Sequence, residues 1–244
     1  LTTDREGAPG FYTPVTGWST APWDAGDMPY TMWMAGDTPV GGLMDLPDEA
    51  AAAGAPPHWM AYISTPSVDA TVARAQQLGA SLVWGPLDVA GVGRVAGLAD
   101  PQGAHFAVHE PEGEAPGSDD PPSVGEFSWH ELATTDWEGA YEFYTELFGW
   151  QKADDMDMGE MGTYRMFSRG AHPLGGMFNK PEQIPFAHWL LYVRVADIDQ
   201  AVERVVALGG QVLNGPMEVP GGDRVAQCMD PQGAGFALHA TKGG

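Results

Sequence analysis

The order of hydrophobic and polar positions repeats along the chain. Residues 58–109 match residues 188–239 at a constant offset of 130, so that His58-Trp59 recurs as His188-Trp189. The segment Asp-Pro-Gln-Gly-Ala at 100–104 likewise recurs at 230–234. Self-similarity over this length indicates a duplicated domain. Residues kept in both copies therefore serve the shared architecture or a site that both copies have.

The second copy shows the pattern of its elements most clearly. Alternating or β-branched apolar positions predict strands at 127–134, 164–168, 174–178, 188–195, 211–213, 224–229 and 235–240. Apolar positions at helical spacing predict helices at 138–148 and 198–208, with Asp136 and Asp197 as N-caps and Gly149 closing the first. The Met- and Asp-rich residues 154–161 have no clear period. They are expected to form a mobile loop, with a lid over a ligand as the alternative.

Each copy therefore contains two βαβββ units, which predicts an α+β fold. A single four-stranded unit would leave one sheet face exposed, whereas two units can close their sheets into a cup with the helices outside. The concave interior of such a cup is a common place for a small ligand. In the first copy the first helix, expected at residues 5–16, contains Pro9, Gly10 and Pro14 and is expected to be short, broken or shifted.

A segment rich in proline, glycine and acidic residues separates the two copies. It predicts a first domain at 1–110, a linker at 111–126 and a second domain at 127–244. Leu1 aligns with Leu132, so the first domain is expected to begin inside its first strand.

Composition narrows the possible partners. The formal net charge is −22 with only 11 Lys and Arg residues, which argues against nucleic acid and anionic membranes. The one cysteine, Cys228, allows no intramolecular disulfide and suits a cytoplasmic protein. No apolar run approaches the roughly 20 residues of a membrane span. The sequence leaves open whether the protein is a monomer or a homodimer.

Short motifs recur at corresponding positions of the two copies. They are Thr-Thr-Asp at 2–4 and 134–136, Phe-Tyr-Thr at 11–13 and 143–145, Gly-Trp at 17–18 and 149–150, Gly-Gly at 41–42 and 175–176, and the His-Trp and Asp-Pro-Gln-Gly segments. Together they resemble the vicinal oxygen chelate superfamily, which includes glyoxalases, bleomycin-resistance proteins and extradiol dioxygenases. Within it, the chain is similar to tandem two-domain proteins often labelled hydroxylase or glyoxalase family protein. The resemblance implies two tandem glyoxalase-like domains that bind a small molecule.

Enzymes of this superfamily usually hold a divalent metal in the cup, and the resemblance implies where its ligands would stand. Those positions carry apolar residues here: Trp129, Met177 or Phe178, Leu190 and Ala237 in the second copy, and Leu43 or Met44, Met60 and Ala107 in the first. None of these side chains is a ligand for a hard cation. The sequence therefore predicts that the usual metal positions bind no metal.

Strand alternation extends the set of residues that face the cup, because every second side chain points to the same face. If Leu190 faces the cup, so do His188, Tyr192 and Arg194, and Glu131 accompanies Trp129. The predicted catalytic residues are His188, Tyr192 and Glu131. The predicted ligand-binding residues are Trp129, Trp150, Met177, Leu190, Arg194 and His239 in the second copy, with His58, Tyr62 and His109 in the first.

Two main functions fit these residues. The first is a small-molecule-binding protein without a cofactor, which holds a hydrophobic or aromatic ligand in the cup. The second is a metal-dependent lyase, dioxygenase or hydroxylase, in which His188, His239 and Glu131 hold Fe, Mn, Ni or Zn at a displaced site. A third is metal-free acid–base catalysis by His188 with Tyr192. The binding protein is favoured, and whether the chain is an enzyme is left open.

Overall fold

The computed structural model describes residues 1–23, 30–113 and 120–243. Helices in this part of the chain are α1 (Ala8–Thr16), α2 (Asp48–Ala52), α3 (Val68–Gln77), α4 (Trp137–Phe148) and α5 (Ile198–Ala207). Strands are β1 (Ser19–Trp23), β2 (Tyr30–Ala35), β3 (Thr38–Leu43), β4 (Tyr62–Ser64), β5 (Ser81–Val89), β6 (Gly93–Ala99), β7 (His105–Pro111), β8 (Phe127–Thr134), β9 (Gln151–Asp157), β10 (Thr163–Ser168), β11 (Pro173–Asn179), β12 (His188–Arg194), β13 (Gln211–Glu218), β14 (Arg224–Met229) and β15 (Gly235–Ala240). The predicted α+β class is confirmed.

These elements group into two compact units, and each unit takes one half from each sequence repeat. Unit 1 comprises Leu1–Trp59, Pro122–Trp129 and Leu190–Gly244, and unit 2 comprises Met60–Pro121 and His130–Trp189. The grouping reflects which segments lie close together in space, whereas the repeat is a property of the sequence. The domain boundaries at 110 and 127 stay a prediction, and residues 114–119 of the predicted linker lie outside the described residues.

Unit 1 contains two sets of paired strands. Strands β1, β2 and β3 form an antiparallel sheet in that order. Strands β13, β14, β15 and β12 are neighbours in that order, with β12 parallel to β15 and the other pairs antiparallel. The backbone N–H of Arg194 donates to Glu126 O at 2.9 Å, and Gly125 N–H donates to Arg194 O at 2.7 Å. Part of the predicted linker is therefore fixed to β12.

The core of unit 1 forms where α1 and α5 pack on these strands. Its largest buried side chains include Phe11, Trp18, Trp33 and Ile198, each at most 5% exposed. The predicted first helix is indeed shortened: it begins at Ala8, with Pro9 in its first turn, and Pro14 lies inside it. A proline in the first turn removes only an N–H that would have no helical partner, which explains why the helix starts there.

A buried hydrogen-bonded chain joins the two halves of unit 1. The Tyr12 hydroxyl donates to Asp230 Oδ2 at 2.8 Å, and Trp59 Nε1–H donates to the Tyr12 oxygen at 2.8 Å. Asp230 Oδ1 accepts the backbone N–H groups of Gln232 and Ala234 within its own turn. Burial, followed by the nearby Asp230 charge, raises the pKa of Tyr12 well above 10.0. The hydroxyl therefore stays protonated and remains a donor.

Unit 2 repeats this arrangement with the other halves of the two copies. Strands β4, β7, β6 and β5 are neighbours in that order, as are β8, β11, β10 and β9. The Tyr144 hydroxyl donates to Asp100 Oδ2 at 3.1 Å, and Trp189 Nε1–H donates to Tyr144 at 3.1 Å. Each unit thus has one buried Trp–Tyr–Asp hydrogen-bonded triplet. The repeated Phe-Tyr-Thr, His-Trp and Asp-Pro-Gln-Gly motifs supply its Tyr, Trp and Asp. Within each unit the Tyr comes from one copy and the Asp from the other.

Helix α4 follows from its sequence as predicted. The Asp136 side chain accepts the Gly139 N–H, which satisfies a donor that has no partner inside the helix. Gly149 ends the helix with a φ of 71°, a conformation that glycine adopts without a Cβ penalty. Between these caps, Ala140, Phe143 and Tyr144 are buried on one face. The Asp197 N-cap of α5 is confirmed in the same way.

The expected mobile loop at 154–161 is wrong. Residues up to Asp157 belong to β9, which pairs antiparallel with β10, and Gly159–Met161 form a 3-10 helix. Strand β9 escaped prediction because it is an outer strand of its set with mostly exposed side chains, so it has no buried face to impose an alternation. No helix in the described part of the chain is long and apolar enough to cross a membrane.

Candidate functional site

In unit 2, one face of the β8, β11 and β10 strands carries a polar pair beside two aromatic rings. The Tyr164 hydroxyl donates to Glu131 Oε2 at 3.0 Å. The Tyr164 ring stacks on Phe178 with centroids 5.8 Å apart and planes 22° from parallel. Gly176 is paired with Glu131, and Phe178 with Ala133, so these side chains share a face. We call Glu131, Tyr164 and Phe178 the aromatic platform.

The repeated Gly-Gly motif makes room for this platform. A Cβ on Gly176 would overlap the Tyr164 ring, which therefore lies against the bare backbone. The first copy has the same arrangement, because a Cβ on Gly42 would overlap Tyr30. The glycine is needed for the close approach of an aromatic ring, since any side chain would displace it.

In unit 1, one face of β12, β15 and β14 carries several predicted site residues. The register pairs Tyr192 with Ala237 and Arg194 with His239, which places all four on that face. Tyr192 is buried, and its hydroxyl accepts Gln227 Nε2–H at 3.1 Å. The face is therefore polar along Arg194 and His239 and apolar at Ala237.

His239 lies between a hydroxyl and a carboxylate. Its Nδ1 is 2.8 Å from Ser128 Oγ, and its Nε2 is 3.1 Å from Asp223 Oδ2. Ser128 Oγ also lies 3.3 Å from the carbonyl oxygen of Tyr192. We call Ser128, His239 and Asp223 the Ser–His–Asp chain.

The charges around Asp223 favour its ionised form. Burial opposes ionisation, but the Lys242 N–H, the His239 ring and the Arg194 charge together hold the pKa of Asp223 below 3.8. The Arg194 guanidinium donates to Pro122 O and, at 3.3 Å, to Thr241 Oγ1. Arg194, predicted to anchor a ligand, is thus engaged with protein atoms as well.

The other predicted histidines contact backbone carbonyls. Nδ1 of His58 lies 2.7 Å from Pro56 O, and Nδ1 of His188 lies 3.2 Å from Phe186 O, so the two copies share this local arrangement. Nε2 of His109 lies 2.9 Å from Val92 O. These contacts fix the rings locally.

Two predicted ligand-binding residues are buried in the core of unit 2 instead. Trp150 is 8% exposed, and its ring stacks on Phe167 with centroids 4.4 Å apart. Met177 is fully buried and pairs with Arg165 on the opposite strand, on the sheet face away from Phe178. Both side chains therefore contribute to the core of unit 2, and whether either also contacts a ligand stays a prediction. Met177 and Phe178 were alternatives for one position. Strand alternation puts Met177 on the face that packs against α4 and Phe178 on the opposite face, together with Glu131.

Three remaining predicted residues keep some accessible surface. Trp129 and Leu190 are half-buried in unit 1, and Tyr62 on β4 is 54% exposed. Tyr62 and its repeat partner Tyr192 therefore differ, because Tyr192 is 3% exposed. Whether any of the three contacts a ligand stays a prediction.

The alternative metal site at His188, His239 and Glu131 is not supported. Within residues 1–23, 30–113 and 120–243, no three His, Cys, Asp or Glu side chains come together in a group that could hold a metal ion. Ala107 and Ala237, at implied ligand positions, are fully buried and offer no donor atom. His239 instead has Ser128 and Asp223 as its partners.

Sequence reasoning missed Tyr164, Ser128 and Asp223. The Gly-Gly motif signals a close approach to the sheet, but it does not say which side chain fills the space. Ser128 and Asp223 are 95 positions apart by their numbers, and neither belongs to a repeated motif. Only a comparison of Asp223 with its counterpart Gly93 could have singled it out.

Comparison with known proteins is consistent with this fold. Residues 126–238 match the profile described as the Glyoxalase/Bleomycin resistance protein/Dioxygenase superfamily, and residues 2–109 match that of a Glyoxalase-like domain. The chain belongs to the glyoxalase/bleomycin resistance protein/dioxygenase superfamily. The resemblance inferred from the repeated motifs is therefore confirmed, with two glyoxalase-like domains in tandem.

Relatives of two kinds align with most of the chain. The chain is 30% identical over 239 residues to the protein named "Putative glyoxylase CFP32" of Mycobacterium tuberculosis, covering 97% of this chain and 90% of the relative. It is 35% identical over 194 residues to the anthracycline biosynthesis protein DnrV of Streptomyces peucetius, covering 78% and 68%.

Solved structures of the superfamily share the fold at low sequence identity. The 2,3-dioxygenase LapB from Pseudomonas sp. KL28 has a TM-score of 0.67 at 12% identity, covering 99% of this chain and 89% of that one. The Mn(II)-bound glyoxalase from Novosphingobium aromaticivorans has a TM-score of 0.65 at 17% identity, covering 98% and 79%. At these identities the likeness establishes the fold and not the reaction.

Proposed function

We propose that this protein binds a small hydrophobic or aromatic molecule without the aid of a metal. The observation that carries the proposal is the pair of buried alanines, Ala107 and Ala237, at positions where the superfamily resemblance implies a carboxylate ligand. Alanine has no donor atom, so neither position can bind a cation. A metal-dependent reaction would require a different ligand set, and the described residues supply no such group.

The aromatic platform of unit 2 supports an aromatic ligand. Phe178 is half-buried and already stacked on Tyr164, so a planar ligand could extend the stack at little entropic cost. Glu131 lies beside the rings and is a suitable acceptor for a ligand hydroxyl. Small-molecule sites commonly combine apolar walls with a few polar groups that fix orientation.

The names of two relatives point to a ligand class. DnrV, and DauV of Streptomyces sp. at 34% identity over 197 residues, are named as anthracycline biosynthesis proteins. Anthracyclines are planar, hydroxylated, polycyclic aromatic compounds that match the platform's chemistry. We therefore propose hydroxylated polycyclic aromatics as the ligand class.

Two measurements on the same preparation test the proposal. Untagged protein is incubated with Fe(II), Mn(II), Ni(II) or Zn(II), dialysed and assayed for metal by mass spectrometry. Metal-stripped protein is then titrated into doxorubicin, and the quenching of the anthracycline fluorescence gives the dissociation constant. We expect saturable binding that is unchanged by any of the four metals. Retention of stoichiometric metal together with metal-dependent binding would contradict the proposal.

A matched pair of variants locates the ligand. Phe178→Ala should weaken doxorubicin binding about tenfold, because a lost aromatic contact with its buried area costs on the order of 1–2 kcal/mol. The control is Phe186→Ala, since Phe186 is an exposed phenylalanine of the same unit outside the platform, with 59% of its surface exposed. Equal affinities for the two variants would show that the platform is not the binding surface.

A further inference from the structure

The Ser–His–Asp chain in unit 1 has the composition of a nucleophilic acyl-transfer site. We propose that Ser128 is an activated nucleophile toward small esters, with His239 as its general base and Asp223 as the residue that positions His239. This inference goes beyond the proposed ligand binding and does not depend on it. It rests on the contacts of three side chains within one compact unit.

The hydrogen-bond geometry assigns the protons. A carboxylate only accepts, so the Asp223 contact requires the hydrogen of His239 on Nε2. The neutral ring then presents a lone pair on Nδ1, 2.8 Å from Ser128 Oγ, within hydrogen-bond reach for a base and its nucleophile. The competing contact from Ser128 to Tyr192 O is 3.3 Å, beyond the usual range for O–H···O. The hydroxyl proton therefore points to His239.

The ring nitrogens are used in the opposite sense to a serine protease, where the carboxylate holds Nδ1 and the serine contacts Nε2. The chemistry needs only that one nitrogen donates to a carboxylate and the other accepts from the hydroxyl. Both nitrogens of imidazole can fill either role. Arg194, registered opposite His239 on the neighbouring strand, adds positive charge near Asp223 on the same face of the sheet.

The first copy shows that the shared fold can form without a Ser–His–Asp chain. His109 is the counterpart of His239, yet its Nε2 contacts the carbonyl of Val92. Gly93 stands where the second copy has Asp223, and Ser64 stands where it has Arg194. The carboxylate and the guanidinium therefore belong to the second copy alone, as expected for a site with its own function.

The proposed reaction is balanced without any other reagent. Ser128 Oγ forms a bond to the acyl carbon of an ester while its proton passes to His239 Nδ1. The carbon–oxygen bond to the alcohol breaks, and the departing oxygen takes that proton, which leaves an O-acyl serine. Water, deprotonated by the same nitrogen, then releases the acid and restores the hydroxyl.

Covalent labelling of the full chain tests this proposal. A fluorophosphonate probe, which labels activated serines, is incubated with the protein, and the labelled peptide is identified by mass spectrometry. We expect a single label on Ser128 that is lost in Ser128→Ala and in His239→Gln. His105→Gln is the control, because His105 is an exposed histidine at the start of β7, the strand of the first copy that corresponds to β15. It should label like the unaltered protein.

Asp223 is tested as a positioning residue by the pH dependence of labelling. Asp223→Asn should slow labelling at least tenfold and change its pH profile, since an amide no longer fixes the ring tautomer, and Asp223→Glu should restore part of the rate. Thermal unfolding verifies that each variant is folded. The absence of a label on Ser128 in the unaltered protein would overturn the proposal whatever the variants do. Equal rates and pH profiles for Asp223→Asn and the unaltered protein would overturn the role of Asp223.

Discussion

Removal of one hydroxyl from the core of unit 2 tests the hydrogen-bonded chain that joins its two halves. Tyr144 is fully buried and its hydroxyl serves two partners at once, accepting from Trp189 Nε1 and donating to Asp100 Oδ2. Tyr144→Phe keeps the ring and its stack on Trp150, with centroids 5.3 Å apart. The substitution therefore isolates the hydroxyl from the packing of the ring.

The expected loss follows from the two groups left unpaired. A buried donor or acceptor without a partner costs about 1–3 kcal/mol. Asp100 keeps the two hydrogen bonds from Gln102 N–H and Ala104 N–H to its Oδ1. The cost of leaving its Oδ2 unpaired should therefore lie near the lower end of that range. We expect Tyr144→Phe to lower the free energy of unfolding by about 2–4 kcal/mol. At roughly 2–4 °C per kcal/mol for a chain of this size, the midpoint should fall by about 5–15 °C.

The loss should depend on pH in a defined direction. Burial raises the pKa of Asp100 above 3.8, and the hydrogen bonds from Ala104 and Tyr144 oppose that rise. A raised folded-state pKa contributes stability that is complete below the unfolded value and is lost as the pH rises through the folded value. Without the Tyr144 hydroxyl the folded pKa moves higher still. The deficit of Tyr144→Phe should therefore be larger at neutral pH than below pH 3.8.

Urea unfolding followed by tryptophan fluorescence, at both pH values, measures this deficit. The control is Tyr141→Phe on the same helix, because the Tyr141 ring contacts Arg165 at 4.8 Å and its hydroxyl bonds to none of the described residues. It should leave the free energy of unfolding nearly unchanged. A loss of unfolding free energy below about 1 kcal/mol in Tyr144→Phe would show that the Trp189–Tyr144–Asp100 hydrogen bonds contribute little beyond a typical single hydrogen bond. A loss that does not depend on pH would refute the role assigned to Asp100.

Two further predictions concern close packing and thiol chemistry. Gly176→Ala should destabilise the protein by about 1–3 kcal/mol in urea unfolding, because its Cβ would overlap the Tyr164 ring; Gly170→Ala, where the added carbon meets open space, should be near neutral. The Cys228 thiol is 1% exposed and burial raises its pKa to about 12, so it should react with Ellman's reagent only as fast as the protein opens. Rapid reaction of the folded protein at neutral pH would contradict that burial.

Much of the local structure could be predicted from the sequence because its causes are local. Asp136 and Gly149 mark the ends of α4 through contacts within a few residues, and β8, β14 and β15 match their predicted bounds because their buried positions impose a clear pattern. The repeat predicted a duplicated domain, and the resemblance carried by its motifs implied two glyoxalase-like domains in tandem. Strand β9 could not be predicted, since an exposed outer strand is held by backbone hydrogen bonds that leave no trace in side-chain pattern.

Only the tertiary structure decided which residues meet. The sequence gives no reason why Tyr12 of one copy should bond to Asp230 of the other, or Tyr144 to Asp100, because such partners are chosen by packing between distant segments. For the same reason, strand alternation placed His239 on a face but could not supply Ser128 and Asp223 as its neighbours. The alternation along one strand determines which face of the sheet each side chain points to. A site also depends on the distances between side chains of different strands, and these are set only when the strands pair and the sheets pack.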